Sequence, residues 1–517
     1  MSILKAPLVL VGMPGSGKTT LGKSLASFLG APFIDTDQQI EQTSGKPISL
    51  IFQQEGENLF RKLEKKALLQ ALVATPPAVI AVGGGAVELP ETRAILEKNP
   101  VLFLDVPLEV LQFRVKDDRI RPLLVGDRAE KMAELFLRRQ RLFSRFPRIP
   151  WINGLHVLGE IPRLLHSVQG LFPGMVHFPS LPVDFPTPHP LRWIAGEMAL
   201  FQKKECPSCF SITSQNVARL YPSFFSEASQ VLPDGEDAKS LPSLESLYSQ
   251  ALSRAIDKDQ RVCAIGGGTI TDVAGLFAAT FKRGLPLHLF PTTLLAQVDA
   301  AIGGKNAINL QGVKNCVGTI RMPQMTWVDP LLSLSAPPSS FFDGLVEGLK
   351  VSFLVHSSSE ILRQQLQRAR GLLDSPCFEE LSAFTIQAIH DKCRILSEDV
   401  MEKGQRLFLN LGHTLGHVYE TTYSLSHGQA VALGLLHGLE KKKHPVIEEF
   451  VEWLQQVLGP QTLALREKPW TPEMAQKLSN DKKNRNQKII LVDLQAPGQP
   501  FLKELELSSL LSSLDQE

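Results

Sequence analysis

The sequence predicts an α/β chain in three parts. An α/β phosphate-loop domain with a parallel sheet comes first, then a second α/β subdomain, then a mainly α-helical subdomain. Three observations carry this. The short apolar run Pro7 to Val11 leads straight into Gly12-Met13-Pro14-Gly15-Ser16-Gly17-Lys18-Thr19-Thr20. A second buried-strand run, Cys263-Ala264-Ile265, ends in the turn Gly266-Gly267-Gly268, with Asp272 just after it. Beyond Pro330 the alternation of short strands and helices gives way to long amphipathic stretches, such as 386–400.

At 517 residues the chain is long enough for about three domains. Its 43% hydrophobic and 21% charged residues are ordinary for soluble globular protein. A net charge of +1 without a basic stripe makes no case for nucleic acid. The cysteines are scattered, and Cys206-Pro-Ser-Cys209 is a lone pair of thiols with no second pair, so a reducing cytoplasm fits best. The opening MSILKAPLVLVG reads as a first strand rather than a signal peptide. No stretch approaches the roughly 18 uninterrupted apolar residues of a membrane span.

The first domain is expected over 1–170. Its glycine loop fits G-x-x-x-x-G-K-[ST], with a strand before it and an amphipathic helix after it (Leu21, Leu25, Phe28, Leu29). Glycines let backbone N–H groups converge on phosphate oxygens, and a helix starting at Lys18 adds its positive end. Gly15, Ser16, Gly17, Lys18, Thr19 and Thr20 are therefore read as contacts to ATP, with Lys18 on the β- and γ-phosphates and Thr19 on Mg²⁺. Phe33-Ile34-Asp35-Thr36-Asp37 reads as a second strand ending in two acids, at the sheet edge where open α/β sheets bind ligands.

Downstream stand Glu55-Gly56-Glu57, Phe60-Arg61 and Glu64, then the run 79–82 feeding Gly83-Gly84-Gly85. Arg121-Pro122-Leu123-Leu124 and Arg138-Arg139 follow. Each of these residues alone also reads as a surface salt-bridge partner. As a set, over residues 5–168, they resemble shikimate kinase. The resemblance implies that Arg61 and Arg139 bind the substrate carboxylate bidentately. It implies that Gly84 brings its N–H close to the same ligand and that Asp37 accepts from the attacking hydroxyl as base or orienter. Asp35 would act on Mg²⁺ through water, and Arg121, on a lid, would close over the phosphates.

Residues 172–190 hold six prolines in nineteen positions, which precludes a helix and favours a semi-rigid connector. We therefore expect a proline-rich linker over 171–190, an α/β subdomain over 191–330 and a helical subdomain over 331–517. The glycine triplets 83–85 and 266–268 stand in different contexts, so no internal repeat joins the halves.

In the last subdomain, His413 and His417 are four apart and share one helix face. His427 follows a break of helix-poor residues. Three imidazoles can close on one cation if the chain turns back. An HxxxH pair is also read as two ordinary helix-face histidines. Upstream stand Glu347 and Lys350, three apart; Arg283-Gly284; Pro291-Thr292-Thr293; Asp299-Ala300-Ala301-Ile302-Gly303-Gly304-Lys305; and Lys314-Asn315. In this order, from about Pro190 to Leu491, they resemble 3-dehydroquinate synthase, an NAD- and metal-dependent cyclase.

That resemblance completes the fold class: an α/β P-loop kinase domain with a parallel sheet, an α/β NAD-binding subdomain and a mainly α-helical metal-binding subdomain. It assigns NAD⁺ to Asp234, Gly235, Glu236, Lys239, Gly267, Gly268, Thr269, Asp272, Thr292, Thr293, Lys305 and Lys314. It assigns one Zn²⁺ or Co²⁺ to Glu347, His413 and His427, leaving His417 for substrate, the three-ligand logic of an open catalytic site. Arg283, Lys305, Lys350, Arg406 and Lys482 are the cations expected to hold phosphate and carboxylate, with Asp299, Asn315, Glu402, Asn410 and His417 completing the pocket. Catalytic roles are implied for Lys350, Glu402, His417, Arg283 and Asn410 beside Asp37, Lys18 and Arg121 in the first domain.

The implied activities are phosphorylation of shikimate and cyclisation of a seven-carbon phosphorylated keto acid, in a cytoplasmic homodimer joined through the second half. Departures are Ser214 where the family carries an acid, Thr271 for a glycine, Lys282, and a shortened loop between His417 and His427. Competing readings are another sugar-phosphate cyclase or a polyol dehydrogenase, a kinase of a different hydroxy acid such as gluconate, and a catalytically dead half.

Overall fold

The structure is a computed structural model, and it describes residues 3–115, 128–152, 156–178, 190–198, 208–226, 228–479 and 488–514. The chain divides into two units, Met1–Pro179 with Gly196–Leu200, and Ser180–Ala195 with Phe201–Glu517.

Short apolar runs build the first unit's sheet: β1 (Leu8–Val11), β2 (Phe33–Asp35), β3 (Val79–Ala81), β4 (Val101–Asp105) and β5 (Arg148–Pro150). They lie in the order β2-β3-β1-β4-β5, each neighbour parallel. β1 and β3 are apolar throughout, as strands covered on both faces must be. The winding reverses beside β1, so the loop at its carboxyl end opens onto the crevice where such sheets bind ligands. Gly17 (φ 88°) precedes the helix Lys18–Leu29 and Gly30 (φ 60°) ends it, the Gly30 N–H donating to the Ala26 and Ser27 carbonyls. That helix buries the expected face of Leu21, Leu25, Phe28 and Leu29.

One boundary differs from the sequence reading. The second strand stops at Asp35, and a helix, Thr36–Ser44, takes Asp37 into its first turn. The Asp35 carboxylate accepts from the Asp37 and Gln38 N–H groups, and an acid that caps a helix start this way ends the strand.

In the second unit, β6 (Leu191–Trp193), β7 (Phe210–Ser214), β8 (Gln230–Leu232), β9 (Val262–Gly266), β10 (Leu287–Pro291) and β13 (Met325–Val328) form a parallel sheet in the order β6-β13-β10-β9-β7-β8. The carboxyl ends of β9 and β10 are neighbours, which sets Gly267 and Gly268 beside Thr292 and Thr293. Between β10 and β13 the chain makes the antiparallel hairpin β11 (Lys305–Leu310) and β12 (Val313–Ile320).

Beyond it the helices Pro338–Val355, Ser359–Asp374, Phe378–Glu398, His413–Tyr423, His427–Leu439 and Pro445–Leu463 dominate. An antiparallel hairpin, β14 (Lys488–Ala496) and β15 (Gln499–Glu506), interrupts the expected helical run. Pro497-Gly498 between two β-rich runs supplies its turn, with Gly498 at φ 73°. Among the described residues no helix is long and apolar enough to cross a membrane.

The helices that carry His413 and His427 cross on glycine. A Cβ at Gly434 would stand 2.0 Å from the Gly412 carbonyl oxygen, and one at Gly416 would stand 2.9 Å from the Ala430 carbonyl. Gly434→Ala is therefore expected to destabilise the second unit by about 1–3 kcal/mol. Gly371→Ala, on a helix with open space around its Cβ position, is expected to be neutral or slightly stabilising. Thermal melting of the two variants checks the contrast.

Candidate active sites

In the first unit the Gly12–Thr20 loop wraps the start of its helix, with Gly15 at φ 80° and Gly17 at φ 88° turning successive N–H groups inward. The Lys18 ammonium lies under the loop, donating to the Gly12 and Met13 carbonyls at 3.0 Å. Thr19 Oγ1 donates to the Asp35 carboxylate at 2.8 Å, so the two expected Mg²⁺ residues stand together. A cavity of about 490 Å³ opens here, lined by residues 15–21 together with Arg114 and Trp151. Arg114 donates to the Gly15 carbonyl and stacks on Trp151 with its guanidinium carbon 4.4 Å from the ring centre. Sequence reading missed this pair because nothing in the spacing links positions 114 and 151.

Asp37, Arg61, Gly84 and Arg139 gather on the same edge. A Cβ at Gly84 would meet Pro14 Cδ at 2.9 Å and Arg139 Nη1 at 3.3 Å, so only glycine lets the chain pass. Arg61 donates to Glu64 at 2.8 Å, Glu57 at 2.9 Å and Glu88 at 3.2 Å. Arg139 donates to the same Glu88 oxygen at 3.2 Å. Burial, reinforced by the nearby Asp37 carboxylate, pushes the Glu64 carboxyl up to about 7 against the pull of Arg61. Glu88, which bridges both arginines, was not singled out. Arg121 lies outside the described residues.

In the second unit one cleft of about 1550 Å³ runs from the glycine turn after β9 to the histidines. Asp234, Gly235, Glu236, Lys239, Gly267, Gly268, Thr269, Asp272, Thr292, Thr293, Lys305, Lys314 and Asn315 line one part of it. Asp299, Lys350, Glu402, Arg406, Asn410, His413, His417 and His427 line the rest. The Lys239 ammonium donates to Asp272 at 2.6 Å and also to Asn315. Burial pushes the Asp272 carboxyl up to about 6 in spite of Lys239. Lys305 pairs with Glu402 at 2.6 Å. Arg406 is buried and donates to the Val400 and Gly303 carbonyls. Ser214, which also lines the cleft, N-caps the helix Gln215–Leu220.

One expected cleft residue stands elsewhere within the chain. Arg283 is solvent-exposed in the turn before β10, at the opposite end of that strand from Thr292, and does not line the cleft. The strand's length separates the two ends, so a motif contiguous in sequence is split in space. Lys482 lies outside the described residues. Lys392, which sequence reading passed over, lines the cleft and donates to the Asp299 carboxylate at 2.6 Å.

At the far end three ligand-type atoms converge. Glu347 Oε1 stands 3.5 Å from His413 Nε2 and 3.4 Å from His427 Nε2, and one ligand atom from each of the three side chains lies within 4.8 Å of the others. The second Glu347 oxygen accepts from Lys350 at 2.6 Å, while Oε1 has no hydrogen-bond partner of ordinary length among the described residues. His413 Nδ1 faces the Leu411 carbonyl at 3.1 Å, which leaves Nε2 as the lone-pair nitrogen. His427 Nδ1 faces the Glu420 carboxylate at 3.5 Å, and Glu420 in turn accepts from Lys314 at 2.7 Å. A buried oxygen with unused acceptor capacity, two imidazole nitrogens and a carboxylate behind one of them form the donor set of a histidine–carboxylate divalent-cation site. His417 stands beside this group, its ring centre 5.3 Å from that of His413.

The electrostatics fit this reading. Burial raises the Glu347 carboxyl, but Lys350 and His427 outweigh it and hold it at about 2. Burial, with Lys350 and the other imidazoles, keeps His413 well below its ordinary value. For His427 burial works downward, and the Glu347 and Glu420 carboxylates overcome it, raising the imidazole to about 10.

Two folds are thus present, a P-loop phosphotransferase and a parallel-sheet α/β unit with a helical, cation-binding half. A family model described as shikimate kinase matches residues 14–151. Models described as 3-dehydroquinate synthase N-terminal and C-terminal match residues 229–342 and 344–484. A bifunctional shikimate kinase/3-dehydroquinate synthase from Thermotoga maritima is 36% identical over 436 residues, 83% of each chain. The structure of 2-deoxy-scyllo-inosose synthase complexed with carbaglucose-6-phosphate, NAD⁺ and Co²⁺ superposes with a TM-score of 0.53 at 22% identity, over 63% of this chain and 96% of that one. ValA, a 2-epi-5-epi-valiolone synthase from Streptomyces hygroscopicus with NAD⁺ and Zn²⁺ bound, gives 0.53 at 19% identity, over 66% and 100%. At these identities the two structures attest the fold alone. The chain belongs to the bifunctional shikimate kinase/3-dehydroquinate synthase family and carries both enzyme activities.

The raised His427 imidazole has a measurable consequence. A divalent cation needs that nitrogen neutral, so binding must displace its proton. Cation affinity is expected to rise about tenfold per pH unit from pH 7 to 9, with about one proton released per cation. Calorimetry of Co²⁺ binding in buffers of different ionisation enthalpy checks this. An affinity flat over that range contradicts it.

Proposed function

We propose that the first unit transfers the γ-phosphoryl group of ATP, held with Mg²⁺, to the ring hydroxyl that makes shikimate 3-phosphate. The loop amides and Lys18 hold the β- and γ-phosphates. Thr19 and Asp35, joined at 2.8 Å, would hold Mg²⁺, which neutralises charge developing on the phosphates. Arg61 and Arg139 grip the substrate carboxylate and so turn its ring. Asp37, on the same edge, takes the hydroxyl proton or orients it. The observation that carries this reading is the buried arginine pair at the glycine turn 83–85, Arg139 against Gly84 and Arg61 against Gly85, beside Pro14 of the phosphate loop. Two fixed guanidiniums suit a small carboxylate better than a neutral sugar. Arg121 belongs to the same reading as the residue that closes over the phosphates.

For the second unit we propose conversion of 3-deoxy-D-arabino-heptulosonate 7-phosphate to 3-dehydroquinate and phosphate. The reading rests on the convergence of Glu347, His413 and His427 in the cleft that also carries the glycine turn after β9. NAD⁺ is assigned to that turn with Asp234, Gly235, Glu236, Lys239, Asp272, Thr292 and Thr293. The two solved neighbours hold NAD⁺ with Co²⁺ or Zn²⁺ on the same fold, which supports both groups here. When bound, NAD⁺ accepts and returns one hydride, and the divalent cation stabilises negative charge on the oxidised carbinol oxygen.

The chain's own residues do the rest. Lys350 neutralises Glu347 and presents its ammonium to the substrate. Lys305, Lys392 and Arg406 supply positive charge for phosphate and carboxylate, while Asn315, Asn410 and His417 orient hydroxyls. Glu402 and Asp299 hold the lysines in place. Because the hydride returns to the substrate, net NADH should not accumulate. That separates this reading from a polyol dehydrogenase.

Cross-variants test both assignments in one chain. Lys18→Ala is expected to lower phosphorylation of shikimate by at least about a hundredfold, the scale of losing a preorganised charge at the reacting centre. Phosphate release from the seven-carbon substrate should be unchanged. His427→Ala is expected to do the reverse and to lose stoichiometric cation. Normal kinase turnover in the first variant, or retained cation in the second, would refute the corresponding role.

A further inference from the structure

Asp343 is absent from the chemistry assigned above, yet it joins the two segments that bring Glu347 and His427 to one point. It lies on the helix Pro338–Val355, four residues and about one turn before Glu347. Its Oδ1 accepts from Ser426 Oγ at 2.7 Å and from the Gly428 N–H at 2.7 Å. Those residues flank His427, the first residue of the helix His427–Leu439. The approach is close, since a Cβ on Gly428 would stand 2.5 Å from Asp343 Cα.

Capping alone does not account for this carboxylate. The helix already has a complete capping box, Ser426 Oγ accepting from the Gln429 N–H and the Gln429 side chain accepting from the Ser426 N–H. Asp343 adds a bridge between helices: through the Ser426 hydroxyl and the Gly428 N–H it ties the residues on both sides of His427 to the helix that carries Glu347. On the ring side, Glu420 faces His427 Nδ1. With backbone and ring both held, Nε2 has little freedom except to face Glu347 Oε1.

We infer that Asp343 is a positioning residue for the divalent-cation site, setting how tightly and in what geometry His427 and Glu347 act together. The inference rests on the reading of Glu347, His413 and His427 as cation ligands. Support by residues behind metal ligands is typically worth about 10–100-fold in metal affinity.

The test uses the full chain, stripped of metal with a chelator and titrated with Co²⁺, whose visible absorption reports ligand geometry. Asp343→Ala is expected to weaken Co²⁺ binding by about 10–100-fold and to change the spectrum. Asp343→Asn, which keeps an acceptor oxygen, should stay within a few-fold of the unaltered chain, and Ser426→Ala should fall between. Metal-free melting temperatures of the Asn and Ser426→Ala variants should be close to the unaltered value, separating site geometry from folding. Asp343→Ala that binds Co²⁺ as tightly and with the same spectrum overturns the inference, as does Asp343→Asn losing as much affinity as Asp343→Ala. An unaltered chain that takes up no Co²⁺ overturns the ligand reading itself, and this inference with it.

Discussion

A carboxylate with no solvent exposure is the constraint around which the helical half is arranged. Glu347 lies wholly inside the protein, where an isolated charge would cost far more than a folded domain's net stability. Lys350, one turn along the same helix and nearly as buried, answers it with a 2.6 Å ion pair. The Lys350 ammonium is itself completed by the Leu409 carbonyl at 2.6 Å, which draws the segment before His413 against this helix. Buried pairs of this kind are weak devices for stability, and apolar residues of similar volume often serve a core better. What the pair leaves behind is a second carboxylate oxygen aimed at two imidazoles, and that is useful only to a positive charge. The glycine crossing of the two histidine helices follows from the same requirement, because the imidazoles meet Glu347 only if their backbones approach closely.

The kinase half meets the opposite problem with the opposite means. In the function proposed for it the ligand is a polyanion, and the chain offers main-chain N–H groups and one lysine, which cost less to bury than a cluster of cations. Where cations are needed, at Arg61, Arg138 and Arg139, acids hold them: Glu57, Glu64 and Glu88 surround the guanidiniums. Two buried arginines would otherwise repel each other. Glu88 touches all three, so the protein itself sets their positions.

What the sequence made legible was local chemistry. The phosphate loop reads at once because its glycines, lysine and threonine act within nine consecutive residues. The strand runs at 7–11 and 263–265 read as strands because they are continuously apolar. Three imidazoles, His413, His417 and His427, were legible as a possible cation site, and the choice of His413 and His427 with Glu347 came through the resemblance rather than through spacing. Residues whose meaning is tertiary stayed hidden. Asp343, Lys392 and Glu420 look like ordinary helix acids and amines until the fold sets each against a partner far along the chain. Arg283 stands apart for the opposite reason: its motif is continuous with cleft residues in sequence, but β10 carries the two ends apart. Asp35 shows the same competition at short range, where a capping hydrogen bond decided a boundary that strand propensity left open.

Part of the chain's backbone strain lies in the synthase cleft. Asn315 and Glu402 are left-handed at φ 52° and 57°, and Asp299 sits on a five-residue π-turn, 296–300. Such conformations persist only where surrounding contacts over-determine them, and each of these is pinned. Asn315 donates its N–H to Asn309 and accepts from Lys239, Glu402 holds Lys305, and Asp299 holds Lys392. The cleft therefore meets its ligand with Lys305, Lys350 and Lys392 already paired to acids. A ligand gains little from charge alone here, because each lysine must exchange or share a carboxylate partner. In the function proposed above, selectivity then rests on shape: an anion must reach several of these lysines together, from positions that their acid partners fix in advance.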